Sequence, residues 1–181
     1  MRPDGFIYRS EFISREQEAA LIASVQDLPF NEVRMHGVVA RRMTIHFGYD
    51  YHYEGWKITP ADPPPDFLRP LIERCAEVAQ IATQSIEQVM VARYPADAAI
   101  GWHRDAPMFG SPVIGVSLAS ACTMRFRRKK PEGWETHAQL LEARSLYILD
   151  GAARTQWQHS IPKTKALRYS ITMRTLRRRA T

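Results

Sequence analysis

The sequence predicts a mainly β fold of the α+β class: a jelly roll with two N-terminal helices packed on one of its sheets. Three observations predict it. From residue 87 onward the chain reads as eight short strands separated by turn signals. Two stretches with helical spacing precede them. The 181 residues, 45% of them hydrophobic, supply enough apolar material for one domain core, and eight strands in two sheets is the usual jelly-roll count.

Taken in order, residues 6–13 read as a short strand or extended segment. Ser14 then has the chemistry of an N-cap, with Gln17 placed to complete a capping box. Ala20, Leu21, Ile22 and Val25 continue that helix, and Pro29 stops it. Arg41 to Tyr53 reads as a strand pair in which Tyr49, Tyr51 and Tyr53 alternate. The prolines at 60, 63, 64 and 65 make an extended loop. The second helix runs from about Phe67 to Ala82, with Leu68, Leu71, Ile72, Cys75, Ala79 and Ala82 along one stripe. Pro70 belongs in its first turn. The strands follow at 87–94, 99–103, 112–118, 122–129, 138–142, 145–149, 156–160 and 167–175. Residues 1–181 thus read as a single domain, with helices and a substrate lid in 1–86 and the core in 87–176.

Composition narrows the function classes. No run approaches the roughly 18 apolar residues of a membrane-spanning helix, and Met1–Ser10 lacks the apolar core of a signal peptide. Cys75 and Cys122 have neither metal-motif spacing nor disulfide density. Together these facts predict a cytoplasmic protein with no membrane partner, and a monomer is favoured. The net charge is +6, and arginine supplies 20 of the 25 basic residues. Arginine's planar fork suits phosphate and carboxylate, although a GC-rich genome gives the same bias. Arg125–Lys130 could follow a phosphate backbone or simply form a solvated hairpin tip.

Among the six histidines, His103 in Trp102-His103-Arg104-Asp105 and His159 in Trp157-Gln158-His159 stand out. Residues two apart on a strand point the same way, so His103 and Asp105 can meet one metal ion and face an open site. His159 is the candidate third ligand. Two imidazoles and one carboxylate on one face leave three positions open, the arrangement of non-haem iron(II) oxygenases. A lone His-x-Asp is common in surface loops; the last strand changes its weight. Alternation there puts Arg168, Ser170, Thr172 and Arg174 on one face and Leu167, Tyr169, Ile171 and Met173 on the other. If that face is the barrel interior, two arginines there call for an anion, and a dicarboxylate such as 2-oxoglutarate satisfies both; the alternative is an exposed sheet face with solvated arginines. His36, His46, His52 and His137 read as surface or supporting residues, and Trp102 and Trp134 as packing.

These residues resemble a family. His103-Arg104-Asp105, the distal His159 and Arg168-x5-Arg174 look like the AlkB family of Fe(II)/2-oxoglutarate dioxygenases. The Gly151-x-x-Arg154-x-x-Trp157-x-His159 run is similar too, as is Ala92-Arg93-Tyr94 ahead of His103, with Ala92 in place of the family's Asn. The close likeness covers residues 87–176. It implies a double-stranded β-helix holding Fe(II) through His103, Asp105 and His159. It implies that 2-oxoglutarate lies with Arg174 near the carboxylate next to the metal and Arg168 on the far carboxylate. Tyr94 and Thr172 would donate hydrogen bonds, and Ser170 stands where family members often have Asn. It further implies O2 as co-substrate and oxidative demethylation of N-alkylated bases in DNA or RNA, releasing formaldehyde, succinate and carbon dioxide. Arg41, Arg42, Tyr49, Tyr51, Tyr53 and Trp56 occupy the place of the family's substrate lid. Some members carry an acid two residues after the metal Asp; here that position is Pro107, so base preference does not transfer. Two other readings stay open: the same cofactor chemistry on a protein side chain or small molecule, and a basic nucleic-acid-binding β domain with a vestigial site.

Overall fold

Ser14 caps the first helix from both directions. Its Oγ accepts the Gln17 amide at 3.2 Å, and the Gln17 side chain accepts the Ser14 amide at 2.9 Å. The computed structural model in which this is seen describes residues 1–35, 38–52 and 57–177. Helix α1 (Arg15–Val25) follows strand β1 (Phe6–Arg9) and ends before Pro29 is reached. Helix α2 (Arg69–Ala79) opens from a 3-10 turn at Asp66–Leu68, with Pro70 in the first turn, where a missing N–H costs no bond. Gln80 closes it in the left-handed region at φ 55°, so the helix ends at Ala79, three residues before the predicted end.

The eight predicted strands are present and divide four and four. Strands β6 (Gln88–Tyr94), β8 (Phe109–Leu118), β11 (Leu146–Leu149) and β13 (Arg168–Leu176) lie in one sheet. Strands β7 (Ile100–His103), β9 (Cys122–Lys130), β10 (Gly133–Leu141) and β12 (Gln158–Ile161) form the other, in the order β10-β9-β12-β7. This alternation between two antiparallel sheets is the jelly roll. β1, β2 (Asn31–Met35) and β3 (Val38–Phe47) widen the first sheet to seven strands, β1-β11-β8-β13-β6-β3-β2.

Two elements differ from the sequence reading. Arg41–Tyr53 does not form a hairpin with itself. β3 pairs with β2 and β6, whereas β4 (Tyr49–His52) pairs with β5 (Lys57–Pro60). Gly48 separates them at φ +77°, and a Cβ there would collide with the Glu87 carbonyl, so the chain leaves the sheet at that point. The segment before His159 holds a one-turn helix, α3 (Gly151–Thr155), started by Asp150 accepting the Gly151 amide at 2.7 Å. In addition, β10 begins at Gly133, five residues before the predicted strand.

The two faces of the seven-stranded sheet have separate jobs. Leu21 and Val25 of α1 and Leu71, Ile72 and Cys75 of α2 cover one face, packing on Val89, Val91, Ile114, Val116, Tyr169, Ile171 and Met173. The other face looks across to Met124, Phe126, Trp157 and Ile161 around the smaller sheet and carries the polar residues of β13.

Candidate active site

Strand pairing brings the two histidines together. His159 on β12 is the register partner of His103 at the end of β7, and their ring centroids are 4.3 Å apart. Asp105 lies just past the strand end, with Oδ2 3.7 Å from His159 Nε2. The His103 Nδ1–H donates to the Gly101 carbonyl at 2.8 Å, which leaves Nε2 its lone pair. All three residues line one cavity of about 430 Å³ between the sheets.

Arg174 arrives from β13. It donates from Nε and Nη2 to Asp105 Oδ1, at 2.8 and 2.7 Å, and from Nη1 to Gln88 at 2.9 Å. Its guanidinium is thus committed to Asp105 and Gln88. Asp105 turns Oδ1 to Arg174 and Oδ2 toward His159. Among the described residues no three His, Cys, Asp or Glu side chains form a closed ligand set; His103, Asp105 and His159 converge pairwise, with one carboxylate oxygen held by the arginine.

The donor chemistry fits a divalent metal. Burial, reinforced by neighbouring His103, pushes the His159 imidazole down to about 3 despite Asp105 pulling the other way. Burial also lowers His103 against the pull of Asp105. Burial alone would raise Asp105, but Arg174, His159 and His103 hold it well below the usual carboxylate range. Neutral imidazoles and an ionised carboxylate are the states a metal binds. A prediction follows for the metal-free protein. A free imidazole titrates near about 6.5. Below that pH the unfolded chain takes up a proton at His159 that the folded chain refuses until about 3. Stability therefore falls as pH drops through this window, by about 1.4 kcal/mol per pH unit per proton. Urea midpoints should decline accordingly, and His159→Gln should flatten the slope by about one proton.

β13 places its polar residues as alternation demands. Ser170, Thr172 and Arg174 line the cavity, while Tyr169, Ile171 and Met173 face the helices. Arg168 shares their face by alternation but is fully buried and is not among the residues that line the cavity. Its Nη2 donates to Ser117 Oγ at 2.7 Å and its guanidinium sits 5.1 Å from the Tyr94 ring centroid. Its Nε and Nη1 have no partner among the described residues. A buried guanidinium with two unpaired donors fits a carboxylate, so the residues present suit 2-oxoglutarate. Ala92 and Ser170, the two departures from the AlkB pattern, are cross-strand neighbours in the β6–β13 register.

The lid residues separate. Arg42 is 3% exposed and lines the cavity with His46 and Tyr51. Arg41 is exposed, because neighbours on a strand point to opposite faces, and it does not share Arg42's place. Tyr49 is half-buried and outside the cavity lining. Tyr53, Trp56 and His36 lie outside the described residues. His46, read as a surface or supporting residue, lines the cavity and bonds Asp50 through Nδ1 at 2.5 Å. Trp102 is not core packing: it stands at the cavity edge, 36% exposed. Arg154 emerges with a definite task. From α3 it donates to the carbonyls of Ala106, Phe109 and Gly110 at 3.0, 2.8 and 3.3 Å, lacing down the loop that follows Asp105.

Comparison with known proteins agrees with this geometry. The family model of the 2OG-Fe(II) oxygenase superfamily matches residues 5–177. The chain belongs to this superfamily. Within it the chain is AlkB-like. It is 31% identical to mouse tRNA (carboxymethyluridine(34)-5-O)-methyltransferase ALKBH8, over 90% of this chain and 25% of that protein. It is 26% identical to the Arabidopsis thaliana alkylated DNA repair protein ALKBH8 homolog, over 89% of this chain and 51% of that protein. Mouse alpha-ketoglutarate-dependent dioxygenase alkB homolog 3 is 28% identical, over 75% and 51%. The structure of OsALKBH1 shares the fold, with a TM-score of 0.69 at 15% identity and 97% and 98% of the two chains covered. The chain spans a quarter to a half of the length of these curated relatives. This 2OG-Fe(II) oxygenase is an enzyme whose superfamily uses Fe(II), 2-oxoglutarate and O2. No helix among its described residues is long and apolar enough to cross a membrane.

Arg174 reaches the His103, Asp105 and His159 cluster through Asp105. Arg174→Lys should therefore lower metal affinity by about tenfold or more, because an ammonium cannot grip the carboxylate with a two-pronged fork. Titration with Co(II), followed by its absorbance, checks this; unchanged affinity removes Arg174 from the orienting role.

Proposed function

We propose that this AlkB-like oxygenase removes alkyl groups from N-alkylated bases in DNA or RNA. His103, Asp105 and His159 hold Fe(II) in this reading. Tyr94, Arg168, Ser170, Thr172 and Arg174 surround 2-oxoglutarate. Residues 1–181 act as one dioxygenase domain, with 1–86 supplying the helices and lid and 87–176 the core. The observation that carries the substrate is the rest of the cavity lining: Arg42, His46, Tyr51 and Trp102 combine cationic, hydrogen-bonding and aromatic groups. A flipped or single-stranded base needs stacking surfaces and polar contacts of this kind.

The chemistry that iron, O2 and 2-oxoglutarate supply when bound is hydroxylation of a C–H bond, with succinate and carbon dioxide released. A hydroxylated N-methyl group falls apart to the bare nitrogen and formaldehyde. The chain's own work is positional. Burial keeps both imidazoles neutral, and the Arg174 guanidinium keeps Asp105 ionised against its burial. Arg174 fixes the Asp105 carboxylate and Arg154 fixes its loop. Tyr51 packs on Phe109, ring centroids 5.9 Å apart, and bounds the space a base would occupy.

The test is a panel of methylated DNA and RNA oligonucleotides incubated with the enzyme, Fe(II) and 2-oxoglutarate. Loss of one methyl by mass, with matching formaldehyde, is expected for at least one. Succinate formation without demethylation of any oligonucleotide would move the reaction to a protein side chain or small molecule.

A further inference from the structure

The outer face of the four-stranded sheet carries a patch that, apart from Trp102 at its edge, the cavity does not use. Alternation along β9 turns Arg125, Arg127 and Lys129 away from the sandwich. Across the β9–β10 register they meet Ala138, Thr136 and Trp134. The Arg127 guanidinium lies between two indoles, 4.5 Å from the Trp102 ring centroid and 4.4 Å from that of Trp134, and its Nε donates to Gln158 at 2.8 Å. Lys129 Nζ stands 5.3 Å from the Trp134 ring. Trp134 is 51% exposed.

Charge on this hairpin is divided by face. Glu135 holds Arg128 and Lys130 through salt bridges. Among the described residues Arg125, Arg127 and Lys129 have no salt-bridge partner; Arg127 is held by the two indoles and Gln158, and Arg125 and Lys129 remain to meet an anion. The patch crosses the sheet from β10 to β7, three strand spacings or about 14 Å. That is several times the roughly 3.4 Å phosphate rise along one stacked strand. It also joins the active site, because Trp102 both stacks on Arg127 and lines the cavity.

We infer that this face is a platform for single-stranded nucleic acid, seating the nucleotides next to the one in the cavity. The inference rests on the nucleic-acid reading above. The indoles stack bases, which any base allows through its π-face. Arg125 and Lys129 meet phosphates, and Arg127 keeps the two indoles spaced. The surface therefore binds without reading sequence, while the cavity selects the modified base.

Fluorescence anisotropy of labelled, unmodified single-stranded oligonucleotides tests this on the full chain, with a DNA arm and an RNA arm. Trp134→Ala should weaken binding about tenfold in at least one arm. The pair Arg125→Gln and Lys129→Gln should flatten the slope of log affinity against log salt by about 1.4, the loss of two phosphate contacts on a single strand. Indole quenching on binding should shrink in Trp134→Ala. Wild type that binds neither DNA nor RNA at low salt would sink the nucleic-acid reading itself. Wild type that binds, with all variants matching it in affinity and salt slope, would overturn the platform alone. So would a dimer in sedimentation that Trp134→Ala dissolves while oligonucleotide affinity stays unchanged, since that assigns the face to a second copy.

Discussion

His103→Ala and Asp105→Asn are expected to abolish succinate formation while the fold survives, whereas Asp105→Ala is expected to lose the fold's stability as well. The difference comes from burial. His103 ends β7, an edge strand, and faces the cavity; its removal strips a proposed ligand and little packing. The sequence alone reads Asp105 as equally open, but its side chain is only 5% exposed and is paired with Arg174, itself 11% exposed. Truncating Asp105 leaves a buried guanidinium without its counter-ion, a loss of about 3–5 kcal/mol for a broken buried pair. Asparagine keeps the shape and one acceptor for Arg174, so it isolates the metal role from the structural one. Succinate yield, Co(II) binding and urea midpoints separate the cases. Full succinate formation by His103→Ala or Asp105→Asn would remove those residues from the proposed metal triad.

Much of this was legible in the sequence because it depends on local period. The alternation along β13 divides cavity side from helix side: Ser170, Thr172 and Arg174 line the cavity and Tyr169, Ile171 and Met173 face the helices, while Arg168 is buried beyond the cavity lining. The capping box at Ser14 and Gln17 needs only four residues and forms as read. What depends on partners distant in sequence was hidden. His103 and His159 are brought together by the β7–β12 register across 56 residues; their sequence context made them joint candidates, but no local period could place them side by side. Arg154 acts on three loop carbonyls, which carry no residue signature. Helix α3 spans five residues, too few for a helical period to show. The Arg41 and Arg42 assignment had a usable signal that went unread: adjacent residues on a strand cannot face one cavity together. Trp102 and Trp134 looked like packing because tryptophan usually buries its bulk; here the stacked Arg127 takes one surface of each and leaves the rest to solvent.

Arg168→Met should have two opposite effects: a higher melting temperature for the protein without co-substrate, and 2-oxoglutarate affinity lower by about a hundredfold or more. Arg168 is fully buried, yet only Nη2 has a hydrogen-bond acceptor, Ser117 Oγ; Nε and Nη1 have none. Tyr94's ring offers some compensation at 5.1 Å, but a buried cation with unpaired donors remains costly. Methionine fills a similar space with a flexible apolar chain and removes that cost. In the proposed binding mode the same change removes two charge-assisted bonds to the far carboxylate of 2-oxoglutarate. At the low end of about 1.5 kcal/mol each, their loss is about 3 kcal/mol, or roughly a hundredfold in Kd. Added 2-oxoglutarate should raise the melting temperature of the metal-loaded wild type and leave that of the variant unmoved, since only a ligand that binds the folded state stabilises it. Arg168→Lys should fall between the two, keeping the charge while losing the planar fork. Calorimetric titration and a thermal scan on the same preparations give both readings. If the methionine variant binds 2-oxoglutarate as tightly as wild type, Arg168 has no part in holding it, and the far carboxylate must be sought among Tyr94, Ser170 and Thr172.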